Sequence, residues 1–178
     1  MTNKEIMNIA MQQSAYDLNA NASDFLQDTN VFAVAGIGPL ARKYYKEPIA
    51  CNLVSYGNNI VVSVKEEFKE IIETYLNKFE FYHCFETPNM HWLDTRMKEH
   101  GYRVCFMAEY FLPDINHLRR KECDFELKVL EHQDFENLYL PEWSNALCED
   151  RKELDVLGVG AFDGNKLVGL AACSADCE

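Results

Sequence analysis

The chain lacks any long apolar run. Its longest runs, such as Ile60-Val61-Val62 and residues 104–108, fall far short of what a bilayer-spanning helix needs. Residues 1–10 hold no apolar core of signal-peptide length, so the expectation is a cytoplasmic protein without a membrane partner. Paired cysteine spacing is also missing. Seven cysteines, at positions 51, 84, 105, 123, 148, 173 and 177, are an odd number scattered among strand-like runs, with no C-x-x-C pair. Buried reduced thiols fit that pattern better than disulfides or zinc. Cations are scarce, with 17 Lys and Arg against 29 Asp and Glu and a net charge of −12. Binding nucleic acid requires clustered Lys and Arg to neutralise phosphates, so no nucleic-acid partner is expected.

What is present is an apolar content of 48% over 178 residues, enough for a proper core in one domain or two small ones. The charge is uneven. Residues 1–121 carry 13 basic and 15 acidic side chains, whereas residues 122–178 carry 4 and 14. The charged stretch Arg119-Arg120-Lys121-Glu122-Cys123-Asp124 reads as a solvated linker. It divides the chain into an N-terminal α/β region, 1–121, and a second region, 122–178.

In the first region, residues 4–18 form an amphipathic helix with Ile6, Ile9, Ala10 and Gln13 on one side. Ser23 is placed to cap a short turn through Phe25 and Leu26. Residues 31–35 are a strand, followed by Gly36-Ile37-Gly38-Pro39-Leu40-Ala41 and a helical run over 41–45. This matches G-x-G-x-x-A formally. A dinucleotide site would also need an acidic residue about twenty positions on, and residues 55–59 supply none. Pro39 removes one N–H that would face a phosphate, so a glycine turn with Pro at the first helical position suffices.

Residues 50–55 and 60–64 pair as a hairpin about Tyr56-Gly57-Asn58-Asn59. Ser63 and Glu66 form a capping box for the clearest helix of the chain, with Phe68, Ile71, Ile72, Tyr75, Leu76 and Phe79 on one stripe. Residues 81–85 read as a strand. Thr87 caps a further helix, with Pro88 at its first position, Met90, Leu93 and Met97 inward, and Gly101 as its stop. Residues 102–112 then read as a long strand ending at Pro113. His83, Cys84, Glu86 and His91 lie close in sequence, but His91 lacks the i, i+4 partner of a helical zinc pair, so no metal is expected.

The second region opens with a strand over 125–130 and a helix from Asp134, which Pro141 breaks. It closes with a hairpin over 157–174, whose Asp163-Gly164-Asn165 turn supplies the positive φ angles a tight connection needs. The hairpin strands are rich in Gly, Ala and Val. Such strands let another backbone or a ligand approach closely.

The wording of residues 159–171, V-G-A-F-D-G-N-K-L-V-G-L-A, resembles the second and third strands of the GNAT superfamily of acetyl-CoA-dependent N-acetyltransferases. Residues 125–138, F-E-L-K-V-L-E-H-Q-D-F-E-N-L, look like the opening strand and first helix of that fold. Residues 87–104, T-P-N-M-H-W-L-D-T-R-M-K-E-H-G-Y-R-V, look like its late helix-to-strand segment, a resemblance that implies a degenerate relative of the same fold over 1–121. The implied class is α/β of the α+β kind: mixed, mostly antiparallel sheets with flanking helices, and an incomplete GNAT-like domain over 122–178.

The family's loop of the form Arg/Gln-x-x-Gly-x-Gly/Ala, which cradles the acetyl-CoA pyrophosphate on backbone N–H groups at a helix start, is not found in the chain. The resemblance therefore implies acetyl-CoA as cofactor of a complete protein and none for this chain, which looks cut or naturally shortened. The acceptor would be a small-molecule or peptide amine, and the wall that recognises it would include Glu142, Trp143, Asn145 and Glu149. Alternatively, Trp143 plugs the core and these charges are a solvated face. The acidic second region suits a cationic amine, or its balance is restored by further chain. No catalytic residue is assigned. The competing expectation is a non-catalytic α/β binding or interaction module. In either case the last strand is an unpaired edge, which calls for another copy of the chain or for docking on residues 1–121.

Overall fold

The computed structural model describes residues 1–43 and 49–175. The chain is mixed α/β and divides into two compact units, Met1–Leu118 and Arg119–Glu178. Each holds a three-stranded sheet.

The first unit is built around β3 (Val61–Val64), which lies between β1 (Val31–Val34), parallel to it, and β2 (Cys51–Val54), antiparallel to it. All four β3 residues are buried. Successive side chains of a strand point to opposite faces, so β3 feeds two cores. Val62 and Val64, with Ile60, join Phe68 just before α2 (Lys69–Lys78), Ile72, Tyr75 and Leu76 of α2, and Leu93 and Met97 of α3 (Thr87–Lys98). Val61 joins Met11, Ala15 and Leu18 of α1 (Asn3–Leu18) and Phe25. The sheet is thus covered on both faces. Beneath α2, the Tyr75 hydroxyl donates to the Cys84 carbonyl, and the Tyr75 ring stacks on Trp92 at 5.9 Å.

The hairpin of β2 and β3, the α2 stripe and the stop at Gly101 (φ 80°) stand as the sequence indicates. Local chemistry is redistributed elsewhere. Of the expected α1 face Gln13 is buried but Ile9 is 53% exposed, and α1 further buries Met11, Ser14, Ala15, Asp17 and Leu18. Asn21, rather than Ser23, opens the turn Ala22–Leu26, with Asp24 returning to the Asn21 backbone. Ser63 is a buried β3 residue, so Lys65 precedes the turn Glu66–Phe68 that leads into α2, with no capping box. Glu86 is the N-cap of α3 and Thr87 its first residue.

Two expected strands are not formed. Residues 81–83 make a 3₁₀ turn. Residues 102–112 run without regular structure, leaving Phe106 71% and Phe111 88% exposed. Aromatic and β-branched residues favour a strand only where a neighbouring strand supplies cross-strand contacts, and no described strand pairs with this segment. No helix opens over 39–43; the rest of the expected 41–45 helix lies outside the described residues.

The second unit is an antiparallel meander in the order β4 (Glu126–Glu131), β5 (Asp155–Asp163), β6 (Lys166–Ser174). Gly164 at φ 58° closes the β5–β6 hairpin. The 131–155 crossing contains 3₁₀ turns at His132–Phe135, Pro141–Trp143 and Glu149–Leu154, where the sequence indicates a helix from Asp134. Asp134 instead serves as the third residue of the first turn, its carboxylate accepting from the Glu131 N–H at 2.8 Å. No described helix is long and apolar enough to cross a membrane.

Candidate functional site

The 131–155 crossing places one core cluster on one face of the second sheet. The first turn drops Phe135, fully buried, beside Leu130 and Leu147, with Leu138, Tyr139, Phe162, Leu170 and Ala172 around it. The Phe135 ring lies where a Cβ on Gly158 would be, 3.1 Å from that position. A Cβ on Gly160 would come within 2.7 Å of the Phe162 ring and 2.9 Å of Leu167. These glycines of β5 therefore admit the unit's own aromatic and leucine side chains. The close approach read from the sequence is real, and on this face its occupant is the core itself.

The opposite face is different. The register sets Leu127 beside Ala161, Val129 beside Val159 and Glu131 beside Leu157, and then Gly169, Ala171 and Cys173 along β6. Val129 is 67% and Leu127 50% exposed.

The four residues expected to recognise an acceptor fall on the second half of the crossing. Glu142 and Trp143 share the Pro141–Trp143 turn, Asn145 lies in the turn that follows, and Glu149 starts the Glu149–Leu154 turn. Trp143 is half-buried and does not belong to the Phe135 cluster; Glu142, Asn145 and Glu149 are exposed. Among the described residues no hydrogen bond or ion pair joins these four side chains to one another. They share a segment without converging on one another.

That segment is held by Asp155, which the sequence gives no reason to single out. Asp155 is fully buried. Its Oδ2 accepts from the Tyr139 hydroxyl and the Cys148 N–H, each at 3.2 Å, and its Oδ1 accepts from the Ser174 hydroxyl at 2.5 Å. His132 Nδ1 lies 2.8 Å from the Asp155 carbonyl oxygen. The carboxylate thus ties the middle of the crossing, at Tyr139 and Cys148, to the start of β5 and the end of β6, while the Asp155 carbonyl meets His132 near the start of the crossing. Burial pushes the Tyr139 phenol up to about 12, and the Asp155 charge beside it acts in the same direction. Since its oxygens are taken up by donors of the chain, Asp155 serves as an anchor rather than as a free base.

In the first unit Arg42, the residue after the G-x-G-x-x-A stretch, makes an ion pair with α1. Asp17, buried on α1, accepts from the Arg42 N–H at 2.8 Å and from the Arg42 guanidinium at 2.5 Å, and Gln13 Nε2 bridges Asp17 to the Leu40 carbonyl. A carboxylate of the chain binds these donors, and among the described residues 36–43 no helix starts that could take a phosphate. His83 pairs with Glu86 at 2.7 Å, and Cys84 is buried with its Sγ toward the Phe79 and Glu80 carbonyls. Among the described residues no group of three or more His, Cys, Asp or Glu could hold a metal.

Comparison of the chain with protein-family models, with curated proteins and with solved structures finds no match.

Proposed function

We propose that the second unit is the leading part of a GNAT-type domain, an acetyl-CoA-dependent N-acetyltransferase of the cytoplasm acting on a small-molecule or peptide amine. The observation that supports this reading most is the antiparallel β4–β5–β6 meander, whose long β4-to-β5 crossing is followed by a tight Asp-Gly hairpin of small residues. The acidic crossing supports an ammonium acceptor, with Glu142 and Glu149 exposed beside Trp143. Scattered thiols without paired spacing support a reducing compartment.

The described residues do not fit acetyl-CoA. Lys166-Leu167-Val168-Gly169-Leu170-Ala171, the nearest in wording to a cradle, is extended backbone within β6. No catalytic step is derived for this chain, and Glu142, Trp143, Asn145 and Glu149 are assigned to amine recognition alone. Calorimetry tests the reading in two arms. The 178-residue chain should show no micromolar binding of acetyl-CoA, whereas the product read past the Glu178 codon should bind it and release CoA thiol with an amine acceptor. Failure of the longer product to bind, or a stop codon directly after Glu178, would overturn the assignment.

A second reading, a non-catalytic binding or interaction module, is favoured by the crossing itself. It contains 3₁₀ turns rather than α-helix, and Phe135 fills the space over Gly158.

A further inference from the structure

The two outer strands of the second sheet are not alike. β4 carries Glu126, Lys128 and Glu131 within its six residues. Charges along an edge blunt strand addition, because pairing would desolvate them or set like charges together. β6 is nine residues long and has one charge, Lys166, at its first position and no proline. Among the described residues it pairs with β5 on one side and with no strand on the other. A long edge of small and apolar residues without such protection is a template for pairing.

The occupant that this pattern suits is a second copy of the same strand. A two-fold axis normal to the sheet pairs β6 with itself in antiparallel fashion, and full overlap centres the axis on Leu170. Gly169 then lies opposite Ala171 of the other copy, twice, and Lys166 lies at the far end from its equivalent. No like charges meet. Gly169 and Ala171 share the face that also carries Val159 and Val129, so pairing would make the two exposed apolar faces continuous. A contiguous apolar face of that kind is itself a mark of association.

We propose that the 178-residue chain forms a homodimer through β6, antiparallel about Leu170, giving a continuous six-stranded sheet. The proposal does not rest on the acetyltransferase reading.

Two double variants at the same positions test it. Gly169 tolerates a side chain, since a Cβ there meets only the Ala161 Cβ at 3.5 Å, and Ala171 is exposed. Gly169→Lys with Ala171→Lys puts Lys against Lys twice across the axis, whereas Gly169→Glu with Ala171→Lys puts Glu against Lys twice. Sedimentation equilibrium of the natural chain at about 50 μM should give twice the chain mass. The Lys/Lys variant should be monomeric, and the Glu/Lys variant should be dimeric again, with a dissociation constant at least tenfold tighter than Lys/Lys. Circular dichroism matching the natural chain confirms that both fold. A monomeric natural chain, or equal behaviour of the two folded variants, would overturn the proposal. If the variants do not fold, cross-strand β6–β6 contacts in hydrogen-exchange protection of residues 168–172, lost on dilution of the natural chain, serve as the reading; concentration-independent protection overturns it.

Discussion

The Ser174 hydroxyl, at the end of β6, donates to the carboxylate of Asp155, at the start of β5, across 2.5 Å. Tyr139 and the Cys148 N–H complete the shell of that buried anion. Replacing Asp155 by Ala strands these donors away from water, at a cost of about 2–4 kcal/mol. Ser174→Ala removes one partner and should cost about 1 kcal/mol. Trp92 and Trp143 are the two tryptophans, one in each unit. Urea unfolding followed by Trp143 fluorescence in a Trp92→Phe background therefore reads the second unit alone. Equal midpoints for Asp155→Ala and the parent would remove Asp155 from its role as anchor.

Tyr139 gives the same unit an alkaline limit. Its phenol is pushed up to about 12 in the fold, by burial first and by the Asp155 charge second. A group with a raised pKa stabilises the fold fully below its unfolded value, near 10, and loses that contribution as pH rises toward the folded value. Stability of the second unit should therefore fall between about pH 10 and 12. Tyr139→Phe should flatten that part of the profile, and a decline unchanged in the variant would assign it to other groups.

In the first unit, Asp17→Asn should destabilise by about 2–3 kcal/mol, because the buried Asp17 takes both the backbone N–H and the guanidinium of Arg42. The loss should appear as faster amide exchange over residues 36–42, together with a lower midpoint reported by Trp92. Unchanged exchange there would show that the glycine stretch is held by something else.

Asn3 Nδ2, the His117 ring and the Asn116 N–H all bind Asp114, holding its carboxyl below the usual range. A depressed carboxyl contributes above its unfolded pKa and ceases to contribute as pH falls through the folded one. The tie between α1 and residues 114–117 should thus persist at pH 5 and open under stronger acid. The Ile115 amide, which donates to Asn3 Oδ1 at 2.9 Å, reports this by NMR. Asn3→Ala removes that acceptor, so the variant is read at the Asn116 amide, which donates to Asp114 Oδ1 at 3.0 Å; its transition should move to higher pH, and no movement would contradict the linkage.

Burial pushes the Cys51 thiol up to about 12 and raises that of Cys84 as well, whereas Cys105 and Cys123 are exposed. The thiolate is the reactive form. Peptide mapping after brief alkylation of the native chain should find label at 105 and 123 well before 51 and 84. Comparable labelling of Cys51 would mean that β2 opens readily.

Residue pattern alone placed the α2 stripe, the β2–β3 hairpin and the β5–β6 hairpin, because helical periodicity and Asp-Gly or Gly-Asn turns act within a few residues of chain. It also exposed the acidic, cation-poor second half and the small-residue character of β5 and β6. It could not show that residues 102–112 find no partner strand, since strand formation depends on a neighbour distant in sequence. Nor could it show that Asn21 and Glu86, rather than Ser23 and Thr87, begin their helical turns; shifts of one or two residues there depend on how the chain enters the turn. Asp155 carries no sequence signal as an anchor. Its role exists only because the fold brings Tyr139, Cys148 and Ser174 to a carboxylate sealed from water, where donors from remote parts of the chain must converge or the charge could not stay buried.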